Sequence, residues 1–138
     1  VCRIFLWILR YWNQMGIELH TLSESNSETL QQFQQALDYM NANYSQNITA
    51  RDLAELCHMS YSYFSRMFKR HMRRSFREYL NYIRISKAEI LLATSDLSMT
   101  EIAMRTGFST SSYFIQQFRL RKQLSPKQYR KRFLTVDV

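Results

Sequence analysis

Turn-forming residues are nearly missing from this sequence, which holds two glycines and one proline in 138 residues. A hairpin-rich β fold needs more of both, because tight turns rely on positive φ or on the preset φ of proline. The composition therefore leans to helix. Cysteine is equally sparse, and Cys2 and Cys57 stand far apart with no C-x-x-C neighbour. That spacing offers neither a disulfide framework nor a metal site, and reduced thiols in the cytoplasm are the simplest reading. His20, His58 and His71 are scattered, with no ligand spacing among them. No phosphate-cradling glycine loop and no nucleophile–base pattern occurs, so the chain is read as a non-enzyme with no metal and no cofactor. Long apolar runs are missing too. Ile4-Phe5-Leu6-Trp7-Ile8-Leu9 is far shorter than the roughly 20 residues a membrane span requires. It also lacks the small-residue cleavage site of a signal peptide.

What is present is basic charge, unevenly spread. The formal net charge is +8, yet residues 1–60 carry three basic side chains against six acidic, a net of −3. Residues 61–138 carry sixteen basic against five acidic, a net of +11. A polyanion such as nucleic acid accounts best for this asymmetry, since neutralising phosphates releases counterions and drives affinity. A solvated basic surface without a partner is the alternative that charge alone leaves open. The hydrophobic fraction of 46% is enough for one domain with a real core.

A second signal recurs along the chain. Ser or Thr is followed three residues later by an acid or Gln, and then by an apolar-periodic run, as in a helix capping box. The pairs are Ser25/Glu28, Thr49/Asp52, Ser75/Glu78, Ser98/Glu101 and Ser125/Gln128, and Pro126 adds a favoured first-turn proline. The predicted helices cover about 28–43, 50–57, 61–71, 76–94, 99–106, 110–122 and 126–133. In the first, Phe33, Ala36, Leu37, Met40 and Tyr44 share one face.

The chain also repeats itself. Leu53-Ala54 returns as Ile102-Ala103, and Tyr63-Phe64 through Phe68 returns as Tyr113-Phe114 through Phe118. The second turn is one residue longer than the first. Each copy reads as short helix, tight turn, longer helix and basic tail, which is the helix-turn-helix plan. The predicted helix over 76–94 would be about 28 Å long. Two recognition helices on one duplex face sit roughly 34 Å apart, so it has the right order of length for a spacer. Phe76, Leu80 and Ile83 would pack on the first unit, and Ile85, Ala88 and Leu92 on the second.

Several segments carry a family resemblance: FREYLNYIRI at 76–85, Lys87-Ala88 with Leu91-Leu92, SMTEIA at 98–103, Gly107-Phe108-Ser109, Tyr113-Phe114 through Phe118, and SPKQYRK at 125–131. Over about residues 30–133 the chain resembles the AraC/XylS class of bacterial transcription regulators. The resemblance implies an all-α fold of about seven helices, with two helix-turn-helix subdomains (about 49–71 and 98–122) joined by a long linker helix. It also implies binding of double-stranded promoter DNA by two major-groove recognition helices. The family often has Gly at the positions of Arg73 and Gln123. Those residues must accept a left-handed backbone, at a cost of roughly 1 kcal/mol, or end the helix differently.

On each recognition helix the face opposite the core is the candidate reading face. In the first unit it presents Tyr61, Ser62, Ser65, Arg66 and Lys69; in the second, Ser111, Ser112, Ile115, Gln116 and Arg119. Arg66 suits guanine O6/N7, Gln116 suits adenine N6/N7, and Ile115 suits a thymine methyl. A phosphate-only contact is the alternative for Arg66. Arg70, Arg73, Arg74, Arg121 and Lys122 are phosphate candidates. Arg84 and Lys87, on the linker helix, stand between a phosphate contact and a structural ion pair. The first unit is expected to discriminate bases more sharply, and the second to contribute more through positioning.

Residues 1–20 are dense in large apolar side chains and are expected to form an apolar helix. By resemblance it would close an upstream sensing and dimerisation domain, with 21–29 as linker and 30–134 as the DNA-binding domain. A helix that simply docks on the DNA-binding domain is the alternative. The resemblance points further to a small-molecule effector acting through an upstream domain and leaves room for a homodimer and contact with RNA polymerase, while the short apolar run implies no membrane partner. Two other functions stay open on the residues alone: a helical protein-interaction module and a non-specific DNA binder.

Overall fold

The computed structural model describes residues 24–134, with side chains from residue 28 onward. The expected apolar helix over 1–20 lies outside the described residues. From Phe33 onward the described residues belong to one compact unit. The described residues form seven helices in order: α1 Glu24–Asn43, α2 Ala50–Leu56, α3 Tyr61–Met72, α4 Phe76–Thr94, α5 Met99–Arg105, α6 Ser111–Lys122 and α7 Pro126–Leu134. Among the described residues there is no strand.

Side-chain caps start most of these helices. Thr49 and Asp52 form a reciprocal box, with the Asp52 N–H donating to Thr49 Oγ1 at 3.2 Å and the Thr49 N–H to Asp52 Oδ2 at 2.8 Å. Ser98 with Glu101 and Ser125 with Gln128 repeat it. Ser60, Ser75 and Thr110 accept the N–H three residues on. Each bond satisfies a donor that the first helical turn leaves open. The boxes also favour ionised acids. Hydrogen bonds from the Thr49 side chain and backbone lower the pKa of Asp52, and those from the Ser98 backbone and side chain lower that of Glu101. The α1 start differs from expectation. The helix already runs at Glu24, so Ser25 lies within it rather than capping it. An S-x-x-E spacing inside a polar helical stretch mimics a cap without being one.

The two turns repeat in backbone detail. In the first, Met59 N–H donates to Ala54 O (2.8 Å) and His58 to Glu55 O (3.0 Å). In the second, Phe108 N–H donates to Ala103 O (2.9 Å) and Gly107 to Met104 O (3.2 Å). The left-handed residue is His58 (φ 54°) in one and Gly107 (φ 88°) in the other. This is the bonding of a helix C-terminal Schellman motif. The extra residue, Ser109, comes after it, and Thr110 becomes the cap.

Both recognition helices end left-handed at a residue with a β-carbon, Arg73 (φ 56°) and Gln123 (φ 59°). Of the two ways to end there, the chain takes the strained one. Gln123→Gly is therefore expected to raise the unfolding free energy by about 0.5–1 kcal/mol in urea denaturation, after the greater freedom of glycine in the unfolded chain is set against the relieved strain. Unchanged or lower stability would show that the Gln123 side chain, whose Nε2 approaches Leu120 O at 3.4 Å, outweighs the strain.

Aromatic residues dominate the packing. In the first subdomain Phe33, Leu37, Met40, Leu53, Cys57, Phe64 and Phe68 are buried. Phe33 and Phe68 meet edge-on at 5.6 Å. The Cys57 thiol is fully buried and its pKa is raised by desolvation, which leaves it inert. The second core gathers Ile85, Ala88 and Leu92 of α4 around Ile102, Phe108, Phe114 and Phe118. Helix α4 thus serves the two cores from roughly opposite faces, the first through its N-terminal half and the second through its C-terminal half. Leu80 and Ile83 are buried as expected for the first, while Phe76 is half-buried and touches Phe68 at 6.2 Å.

Candidate nucleic-acid interface

Helix α3 is strongly two-faced. Phe64, Met67, Phe68 and Met72 are buried, while Tyr61, Ser62, Arg66, Lys69 and Arg70 are exposed and Ser65 is half-buried. Its last turn carries Lys69, Arg70 and His71. His71 is half-buried against the Phe33 ring (5.7 Å), and burial lowers its pKa, so it adds no charge at neutral pH. Arg66 lies along its own helix, its Nε 3.4 Å from Ser62 O. Arg51 of α2 places its guanidinium over the Tyr61 ring at 5.6 Å.

Helix α6 presents exposed Ser112, Gln116 and Arg119 beside half-buried Ser111. Ile115 is half-buried and packs against the second core, so only part of it remains for a ligand. The flank toward α4 is polar. Asn81 Nδ2 donates to Tyr113 Oη at 3.0 Å and approaches Gln117 Oε1 at 3.4 Å. Arg121 Nη2 donates to Glu78 O at 2.6 Å.

The two subdomains also touch directly. Arg84 Nε donates to Tyr44 O (2.7 Å) and Nη2 to Gln46 O (2.9 Å), while its guanidinium lies over the Phe108 ring (5.9 Å). Gly107 sits in this junction. A β-carbon there would lie 2.7 Å from Tyr44 O and 2.9 Å from both Ser45 Cα and Arg84 Nε. A groove of about 1320 Å³ opens between the two units. Tyr61, Ser65 and Lys69 of α3 line one side of it, and Gly107, Phe108 and Ser109 of the second turn line the other.

The sequence-based basic candidates divide on this geometry. Lys69, Arg70, Arg73 and Arg119 are exposed. Arg84 and Arg121 are committed to backbone carbonyls, Lys122 pairs with Glu89, Lys87 lies over the Tyr44 ring (5.6 Å), and Arg74 over the Tyr82 ring (5.1 Å). Desolvation, and then the neighbouring Arg74 charge, lowers the pKa of Arg121. Arg51, Met104 and Arg77, not singled out from the sequence, line the groove as well. Only Arg51 carried a usable signal, as an isolated cation beside the first turn in an otherwise acidic stretch. Among the described residues, no helix is long and apolar enough to cross a membrane, and no group of three or more His, Cys, Asp or Glu could hold a metal ion.

Comparison with known proteins points the same way. The helix-turn-helix domain family matches residues 53–132. Regulatory protein PocR of Salmonella typhimurium is 38% identical over 95 residues, covering 69% of this chain and 31% of its own length. The C-terminal domain of AraT, a response regulator from Geobacillus stearothermophilus, superposes with a TM-score of 0.69 at 37% identity, over 72% of this chain and 84% of that one. The DNA-binding domain of AdpA, a global transcriptional factor solved in complex with a target DNA, gives a TM-score of 0.69 at 27% identity, over 72% of this chain and 89% of that one. The chain spans 41%, 34% and 31% of the length of three curated relatives, all named as regulators. Two capped helix-turn-helix units on one linker helix, with matching sequence and fold, place this chain in the AraC-type helix-turn-helix family of bacterial transcription regulators.

Proposed function

We propose that this chain binds specific double-stranded promoter DNA through α3 and α6 in successive major grooves, and thereby regulates transcription. The observation that carries this reading is the pairing of two built helix-turn-helix units with exposed polar and basic faces on both second helices. Within the reading, Arg66 and Gln116 contact base edges, with Tyr61, Ser62, Ser65, Ser111, Ser112 and the exposed part of Ile115 around them. Lys69, Arg70, Arg73 and Arg119 meet phosphates. Arg84 and Arg121 hold the protein together instead, because both are half-buried and donate to backbone carbonyls of other segments.

Arg66→Ala is expected to weaken binding to a selected operator by about 1–3 kcal/mol and to relax preference at one base pair. Equal loss on every sequence in a mobility-shift series would instead make Arg66 a phosphate contact. A small-molecule effector, a homodimer partner and RNA polymerase belong in this proposal to surfaces other than the two reading faces. The apolar stretch within 1–20 is assigned to a sensing and dimerisation part of the protein, and 30–134 to DNA binding.

A further inference from the structure

We infer that Asn81 is a positioning residue that sets the half-site spacing this protein accepts, without touching DNA; the inference rests on the DNA-binding reading above. Asn81 is 4% exposed, one of two buried polar residues in the described core. It lies on α4 between residues tied to the first subdomain. Tyr79, two positions before it, meets Phe68 of α3 at 5.6 Å, and Ile83, two positions after it, is buried. Its own carboxamide reaches the other way, to Tyr113 and Gln117 on the flank of α6. One continuous link from one recognition helix to the other therefore runs through Phe68, Tyr79, Asn81 and Tyr113.

The chemistry of that link matters. The apolar packing of Ile85, Ala88 and Leu92 with Phe114 and Phe118 is nondirectional, so it resists a small rotation or slide of α6 less than a directional bond does. A buried amide has few satisfactory partners, so it selects one register, as a buried Asn does in a coiled coil. The Arg121 bond to Glu78 O, one turn further along α6, tethers the same flank. With α6 locked, the two reading faces keep one separation and one rotation. Inserting a base pair between half-sites moves the second by about 3.4 Å and turns it by roughly 35°, given 10–10.5 base pairs per turn. A locked α6 cannot follow such a shift, whereas a loosened one can.

The test uses duplex selected from a random library by the wild-type chain, then lengthened or shortened by one base pair between the two half-sites. Wild type is expected to bind the altered spacings about 30-fold or more less tightly, a loss of the size that follows from misplacing one reading helix. Asn81→Leu, with the same number and branching of side-chain heavy atoms, is expected to keep native-spacing affinity within a few-fold and to lose only about threefold on the altered duplexes. Tyr113→Phe combined with Gln117→Leu removes the same bonds from half-buried positions on α6. It carries the test if Asn81→Leu does not fold, and the same narrowing is expected. Variants that discriminate spacing as sharply as wild type, or that lose affinity equally at all spacings, overturn the inference while leaving the DNA-binding reading intact. Failure of wild type to select any duplex overturns both.

Discussion

Gly107→Ala is expected to lower the unfolding free energy by roughly 3 kcal/mol or more, because strain and collision add at this position. The backbone there has φ 88°, outside the range a β-carbon tolerates well. The added methyl would also sit 2.7 Å from Tyr44 O and 2.9 Å from Ser45 Cα. Both are backbone atoms of the segment joining α1 and α2, and neither can swing aside as a side chain would. The third neighbour, Arg84 Nε, is held by the bond it donates to Tyr44 O. Relief therefore requires the second turn to back away from the first subdomain, breaking the junction that Arg84 makes. Urea denaturation monitored by circular dichroism measures the loss. A change under about 1 kcal/mol, the scale of ordinary substitutions, would mean that the two subdomains do not meet closely at this turn. The equivalent residue in the first turn, His58, is left-handed at φ 54° and exposed. It bears the strain without the collision, which is why one turn accepts a side chain and the other does not.

The second large effect is on binding. Raising salt from 50 to 200 mM is expected to cut operator affinity by roughly 10²-fold, the loss that follows from neutralising about four phosphates, as proposed for Lys69, Arg70, Arg73 and Arg119. Charge supports this size. Residues 61–138 carry sixteen of the nineteen basic side chains and five of the eleven acidic ones. Exposed Lys69, Arg70 and Arg73 cluster at the end of α3, and exposed Arg119 lies on α6. Replacing Lys69, Arg70 and Arg73 together by Ala is expected to flatten the slope of log affinity against log salt by about 3, at close to one unit per phosphate contact. The same triple change should weaken all duplex sequences alike, in contrast to Arg66→Ala. Fluorescence anisotropy across a salt series reads both quantities. A slope near zero in the wild type would favour a helical protein-interaction module.

Local chemistry explains what was readable in the sequence. Caps and apolar periodicity are written within a few residues, so six of the seven helices begin and end within about one residue of expectation. The repeat gave the two units and the longer second turn, later seen as Ser109 standing between Phe108 and the Thr110 cap. The first helix starts earlier than its cap spacing implies, because Ser25/Glu28 has that spacing inside a helix that begins at Glu24. Long-range polar contacts left no such trace. Arg84 reaches a carbonyl 40 positions away, and Asn81 reaches a hydroxyl 32 positions away. Nothing in their neighbourhood marks Arg84 as structural and Arg70 as exposed, since both are basic residues on amphipathic helices. Three-dimensional proximity separates them. The solvent-facing sides of α3 and α6 were legible as positions opposite Phe64, Phe68, Phe114 and Phe118, all fully buried.

The most direct measurement is a base-interference footprint of the chain on its selected duplex, with 7-deazaguanine and 7-deazaadenine substitution as the probe, which removes the major-groove N7 acceptor of either purine. Two interfering segments about 10 base pairs apart, centre to centre and on one face of the duplex, are expected. Arg66→Ala should erase a contact in one segment and Gln116→Ala a contact in the other. A single interfering segment, or interference that is the same on random duplex, would contradict reading by two units.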